Sequence, residues 1–314
     1  MHPETLGRYR IEKELGRGAM GRVFVAHDPQ IDRRIAVKTI QIFSALPVAE
    51  RDEAREAFLR EARAAGKLIH PGIVTLFDVG ETEGLLYLAM EYVEGPTLDR
   101  YGRRDRLLPV ADVVALVASV AETLHYAHGA GVIHRDIKPA NLIHMGGHKV
   151  KVMDFGLARP AEAQLTQDGA LLGTPSYMSP EQIRSQGVDG RSDLFSLAVV
   201  LFELLTGERP FPGKQISSII YRIVNEEPRD ARELNERVTP ELDGFLKRAL
   251  QKDPAQRFAD GAAFAAALRE AAGTAAVSAG SRPAAARAGA TAGATAAALP
   301  SAQATRPRRT SARP

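Results

Sequence analysis

The chain has no cysteine, so disulfides and thiolate metal sites are excluded, and the absence fits a reducing compartment. Its N-terminus, Met1-His2-Pro3-Glu4-Thr5, has no basic stretch leading into an apolar run, so no secretory signal is expected. Long apolar runs are also lacking. The longest, Leu194 to Leu205, is broken by Ser196 and Glu203, about half of the roughly 20 residues a membrane helix needs. A soluble, cytoplasmic chain is expected. Acidic residues and lysine are missing from residues 271–314, where six arginines stand (282, 287, 306, 308, 309 and 313). Without them, 35 basic residues face 38 acidic ones, so the overall +3 becomes −3 for the remainder, and net charge gives no reason to expect specific nucleic-acid binding.

What is present is 314 residues with a 45% hydrophobic fraction, enough for a sizeable core and for either two packed lobes or a domain plus a tail. The organising stretch is His134-Arg135-Asp136-Ile137-Lys138-Pro139-Ala140-Asn141, followed after twelve residues by Asp154-Phe155-Gly156. It offers a carboxylate to orient a hydroxyl, a lysine for a phosphate, and an amide plus a second carboxylate for divalent metal. Phosphoryl transfer calls for such a set, because it depends on positioning and charge neutralisation more than on covalent chemistry by the protein.

Before that stretch the chain reads as strands. Residues 8–42 contain short branched runs around Gly16-Arg17-Gly18-Ala19-Met20-Gly21, a G-x-G-x-x-G spacing that serves a phosphate loop or a plain glycine hairpin. Because Gly21 leads into a strand, the dinucleotide-binding arrangement, which runs into a helix, does not fit. The next strand, Ile35-Ala36-Val37-Lys38, ends its core on a lysine. Residues 48–69 show a helical pattern on which Glu61 falls beside Phe58 on the apolar stripe. A carboxylate there wants a cation, and Lys38 is the candidate. Ile73 to Val79 and Leu85 to Tyr92 complete five strands. After Pro96 the helical period takes over at 110–128, 192–205, 214–226, 241–251 and 259–272, whereas 157–180 lack periodicity and read as a long loop. Residues 271–314, rich in Ala, Gly, Pro and Arg, bury too little surface to offset chain entropy and are expected to be disordered.

These motifs, in this order, resemble the Ser/Thr protein kinases, close to the eukaryotic-type kinases of bacteria. The resemblance covers residues 8–270 and implies an α+β bilobal fold: a five-stranded antiparallel N-lobe sheet with one main helix (8–92), a hinge (90–95) and a mainly helical C-lobe (96–270). It implies ATP and Mg2+, with Mn2+ as an alternative metal. Gly16, Gly18, Gly21, Val23, Ala36, Lys38, Glu91, Val93 and Ile143 would surround ATP, and Asn141 and Asp154 would hold metal. Asp136 would orient the acceptor hydroxyl, with Lys138 at the transferred group; Lys138 argues for Ser and Thr over Tyr. Glu61 would hold Lys38, Thr174 would contact Asp136 and Lys138, Glu181 would pair with Arg257, and Asp193 would anchor the His134-Arg135 turn.

Arg135 implies control by a negative charge from the loop, with Thr166 as the autophosphorylation acceptor; Asp168 is either a solvated loop residue or a permanent partial substitute for the phosphate. Partners implied are protein substrates with Ser/Thr acceptors and a transient kinase dimer for trans-autophosphorylation. The rival reading is an ATP-binding scaffold without transfer. The basic tail either solubilises a free kinase or leads toward a membrane helix in a longer chain; membrane contact by the present chain is not expected.

Overall fold

The computed structural model describes residues 4–18, 21–41, 47–82, 84–155 and 175–280. Its first layer is an antiparallel sheet of β1 (Thr5–Leu6), β2 (Tyr9–Gly18), β3 (Gly21–Asp28), β4 (Arg33–Ile40), β5 (Leu76–Thr82) and β6 (Leu85–Glu91), in the order β1-β2-β3-β4-β6-β5. The sheet therefore has six strands where five were expected. The extra strand is a two-residue edge pair, Thr5↔Arg10 and Leu6↔Tyr9, too short to show alternation in sequence.

Side chains alternate across a strand, and β4 shows what that achieves. Ile35 and Val37 join Leu6, Tyr9, Phe24, Tyr87 and Ala89 on one face. Ala36 and Ile40 join Phe58, Ala62, Leu86, Leu88 and Met90 on the other, where helix α1 (Val48–Ala65) packs. Lys38 shares the parity of Ala36 and Ile40, so it lies on the α1 face.

The second lobe is built on α2 (Val110–Gly129), α4 (Gly190–Thr206), α7 (Pro240–Ala249) and α8 (Gly261–Gly280), with α3 (Pro180–Ile183), α5 (Ile216–Asn225) and α6 (Ala231–Leu234) around them. One continuous apolar cluster joins these elements. Among the described residues α2 is the one helix long and apolar enough to cross a membrane; it lies in this cluster, against α4 and α8. The hairpin β7 (Leu142–His144) and β8 (Val150–Val152) is bridged at Val152 to Ile73, in the segment that leads into β5.

Between the lobes the chain passes Gly95, whose φ of +155° and whose closeness to the His144 carbonyl (2.3 Å from where a Cβ would sit) exclude a side chain.

Two further expectations are corrected. The stretch 157–180 is not all loop, since Pro175–Tyr177 forms a 3-10 turn and α3 begins at Pro180; elements this short show no period. Helix α8 also runs past residue 270 to Gly280, carried by alanines of high helix propensity; residues 281–314 lie outside those described.

Candidate active site

Two non-glycine residues with left-handed backbone mark the cleft: Arg135 (φ 66°) and Asp154 (φ 64°). Such strain persists only where the surroundings over-determine it, and here they do. Asp193, buried in the first turn of α4, accepts the backbone N–H groups of His134 and Arg135 at 2.8 Å each, and its Oδ2 lies 2.7 Å from His128 Nε2. Gln182 Nε2 donates to the Arg135 carbonyl at 2.8 Å. His134 Nε2 is 2.8 Å from the Met153 carbonyl and its ring stacks edge-on to Phe155. The turn carrying Asp136 is thereby tied to the turn carrying Asp154.

Within this frame, Lys138 Nζ donates to Asp136 Oδ2 at 2.6 Å, and Asn141 Nδ2 donates to the same oxygen at 3.0 Å and to the Asp136 carbonyl at 2.8 Å. The Asn141 carbonyl in turn accepts Met153 N–H at 3.0 Å. From the N-lobe, Lys38 Nζ reaches Asp154 Oδ2 at 2.7 Å. Burial alone would raise the Asp154 carboxyl, but the charge and hydrogen bond of Lys38 outweigh it and hold the group below the usual carboxylate range.

One expected pairing is absent. Glu61 does not meet Lys38; its Oε1 accepts from Arg135 Nη1 at 2.7 Å. The expectation named Lys38 alone; Arg135 carries the same charge, and it is Arg135 that holds the carboxylate in this arrangement. Burial pushes the Glu61 carboxyl up, with Arg135 opposing it.

Asp154 Oδ1 is buried without a hydrogen-bond partner, the kind of orphan acceptor that a cation would satisfy. Among the described residues no cluster of three or more His, Asp or Glu could hold a metal by itself. Two oxygen ligands, Asp154 and Asn141, completed by phosphate oxygens and water, fit Mg2+, which is bound in that way.

Several of the residues expected to surround ATP lie on or beside β4. Val23 pairs with Lys38 in register, and Ala36 with Met90. Gly18 and Gly21 pair across the loop tip. Of the three glycines, Gly21 is the sterically required one, with φ +148° and the Thr39 carbonyl 1.8 Å from where a Cβ would stand; Gly16 and Gly18 have open space there. Glu91 ends β6, Val93 follows in the extended connection, and Ile143 forms an antiparallel bridge with Thr97. Glu181 meets Arg257 through two contacts, 2.7 and 2.8 Å. Thr166, Asp168 and Thr174 lie outside the described residues.

Several contacts were not read from the sequence: His128 on Asp193, Tyr177 Oη on the Glu203 carboxylate, Gln182 on Arg135, and Lys151 on Glu91. A signal for Gln182 existed. Ser179-Pro180-Glu181-Gln182 has capping-box spacing, and both reciprocal bonds are present.

Comparison with known proteins places this geometry. The protein kinase domain family matches residues 9–269. A probable serine/threonine-protein kinase of Streptomyces coelicolor is 41% identical over 260 residues, covering 80% of this chain and 38% of that protein. The serine/threonine-protein kinase PknB of Mycobacterium leprae is 39% identical, covering 82% and 42%. The serine/threonine-protein kinase pkn3 of Myxococcus xanthus is 39% identical, covering 83% and 49%. The chain thus spans two-fifths to half the length of these relatives. A crystal structure of Rad53 residues 1–466 in complex with AMP-PNP superposes with a TM-score of 0.68 at 26% identity, covering 82% of this chain and 64% of that one.

Proposed function

The chain belongs to the protein kinase family, and on that premise we propose that it is a serine/threonine protein kinase that transfers the γ-phosphate of ATP to protein hydroxyls and to its own activation loop. The domain would span residues 8–270. The observation that carries the reading is the convergence of Asp136, Lys138 and Asn141 from one lobe with Lys38 from the other, joined through Asp154.

In the reaction the acceptor oxygen forms a bond to the γ-phosphorus as the bond to the ADP oxygen breaks. Asp136 orients the hydroxyl and takes its proton, while Lys138 neutralises charge on the group in transit. Asp154 and Asn141 are the residues that would hold Mg2+, which supplies charge neutralisation to the phosphates when bound. Lys38 binds the α- and β-phosphates, and Gly21 lets the loop close over them. Val23, Ala36 and Ile143 bound the base, and the backbone of Glu91 and Val93 faces its edge. Ser and Thr side chains of partner proteins are the substrates; a transient dimer serves trans-autophosphorylation, and the setting is cytoplasmic.

The Glu61–Arg135 pair favours a second element of the reading: this is a resting arrangement. A phosphate on Thr166, or in part the carboxylate of Asp168, would compete for Arg135 and free Glu61 to hold Lys38.

The test is transfer from radiolabelled ATP, compared between the parent chain and Asp136→Asn under Mg2+ and Mn2+. Parent labelling is expected on Ser and Thr, Thr166 included by mass-spectrometric mapping, with about a 100-fold loss or more in the variant. No parent labelling in either metal would favour the non-transferring scaffold.

A further inference from the structure

Glu91 stands where the chain leaves the N-lobe sheet, and Lys151 is the middle residue of β8, the C-lobe strand that runs into Asp154. A lysine between two buried valines, Val150 and Val152, ordinarily points to solvent on the opposite face of the strand. Lys151 does not. Its Nζ lies 2.6 Å from both carboxylate oxygens of Glu91, with side-chain exposures of 13% and 29%.

The pair closes a ring of contacts around the back of the lobe junction. Glu91 N–H donates to the Thr75 carbonyl at 2.9 Å, and Glu91 Oε2 accepts Thr75 N–H at 3.2 Å. The residues just before Thr75 bond to β8: Val152 N–H to the Gly72 carbonyl at 2.8 Å, and Val74 N–H to the Val152 carbonyl at 2.9 Å. Two sides of the ring are backbone hydrogen bonds, and the third is the Lys151–Glu91 pair, which crosses directly from the end of β6 to β8.

We propose that Lys151 is a positioning residue: its pair with Glu91 is a strut that fixes the Glu91–Val93 connection at one distance from β8, and so from Asp154. The proposal rests on the reading above in which Glu91 and Val93 face the adenine and Asp154 the phosphate end. One strut then sets the span between the two ends of a bound nucleotide. A restraint that acts alike before and during transfer alters binding of ground and transition states equally, and its removal appears in KM for ATP rather than in kcat.

The experiment uses the full chain and four variants: Lys151→Met, Glu91→Gln, the double Lys151→Met/Glu91→Gln, and Lys151→Arg. Kd for a fluorescent ADP analogue is titrated, KM and kcat are measured by autophosphorylation, and a melting curve accompanies each protein. Each charge-removing single variant is expected to raise Kd and KM about five- to tenfold, a shift typical of coupled contacts. The double variant, which leaves no unpaired charge behind, should be no worse than the worse single, and Lys151→Arg should return to the parent, all with kcat within about twofold. The strut is overturned if the double variant keeps the parent Kd while melting normally, if kcat falls at unchanged Kd, or if activity rises. A parent that binds the analogue but transfers no phosphate overturns the proposed function alone, since the Kd comparison still decides the strut; a parent that binds no nucleotide overturns both.

Discussion

Two kinds of ion pair occupy this molecule, and they differ in how completely their atoms are satisfied. Glu181 and Arg257, in the C-lobe, have side-chain exposures of 5% and 1%. Both carboxylate oxygens meet guanidinium nitrogens, Ser192 donates to Glu181 at 2.6 Å, and Arg257 donates further to the carbonyls of Gln251, Lys252 and Arg191. At the cleft, Lys38 touches one oxygen of Asp154 while the other has no partner. Arg135 meets Glu61 through a single contact, with exposures of 37% and 30%. A saturated buried pair has no alternative arrangement of similar energy and acts as structure. An unsaturated, partly solvated pair can exchange partners at small cost, as the proposed admission of phosphates and metal would require.

The sharpest way to break this contrast is Arg257→Ala. It strands the Glu181 carboxylate in the interior and should cost about 3–5 kcal/mol of stability in denaturant titration; a loss below about 1 kcal/mol would put the pair in the same class as those of the cleft. The pair's pH dependence has a definite sign. Burial pushes the Glu181 carboxyl up, yet hydrogen bonds from Arg257 and Ser192 hold it below its ordinary range. Its contribution is therefore complete above the ordinary glutamate range and is lost as pH falls through the depressed value.

Glu61→Gln tests the other side. Stability should change by less than about 1 kcal/mol, whereas transfer should fall about 10- to 100-fold on the proposal that Glu61 leaves Arg135 to hold Lys38 in the active arrangement. A large melting shift with normal kcat would reverse the assignment.

The smallest effect concerns Lys252, whose ammonium sits 3.9 Å over the Phe211 ring and whose pKa burial lowers to about 8. From about pH 8 to the ordinary lysine range the unfolded chain binds the extra proton, so stability should rise with pH. Partial solvation limits the gain to about 1–2 kcal/mol, and Lys252→Met should flatten it in melts across that range.

The sequence was most legible where chemistry forces residue types into fixed spacing. Asp136, Lys138, Asn141 and Asp154 stand in one connected frame, and alternation along β4 places Lys38 on the α1 face. It was less legible where partner choice depends on side-chain reach. The stripe position of Glu61 showed that it wants a cation, and nothing in the spacing separated Lys38 from Arg135. Lys151 was hidden for a different reason: a lysine in a Val-Lys-Val strand looks solvated until the fold brings Glu91, 60 residues earlier, against it. Strand β1 and helix α3 escaped because elements of two and four residues have no period to detect.

Helix α2 has a consequence for biogenesis. Its apolar surface is covered by α4 and α8, which begin at Gly190 and Gly261, long after α2 ends at Gly129. The 132-residue interval to Gly261 takes roughly 7–26 s at about 5–20 residues per second of synthesis. For that time a segment that passes for a membrane span lacks its final partners on the nascent chain, so α2 is the place where a chaperone, a membrane-insertion machinery or aggregation competes with folding.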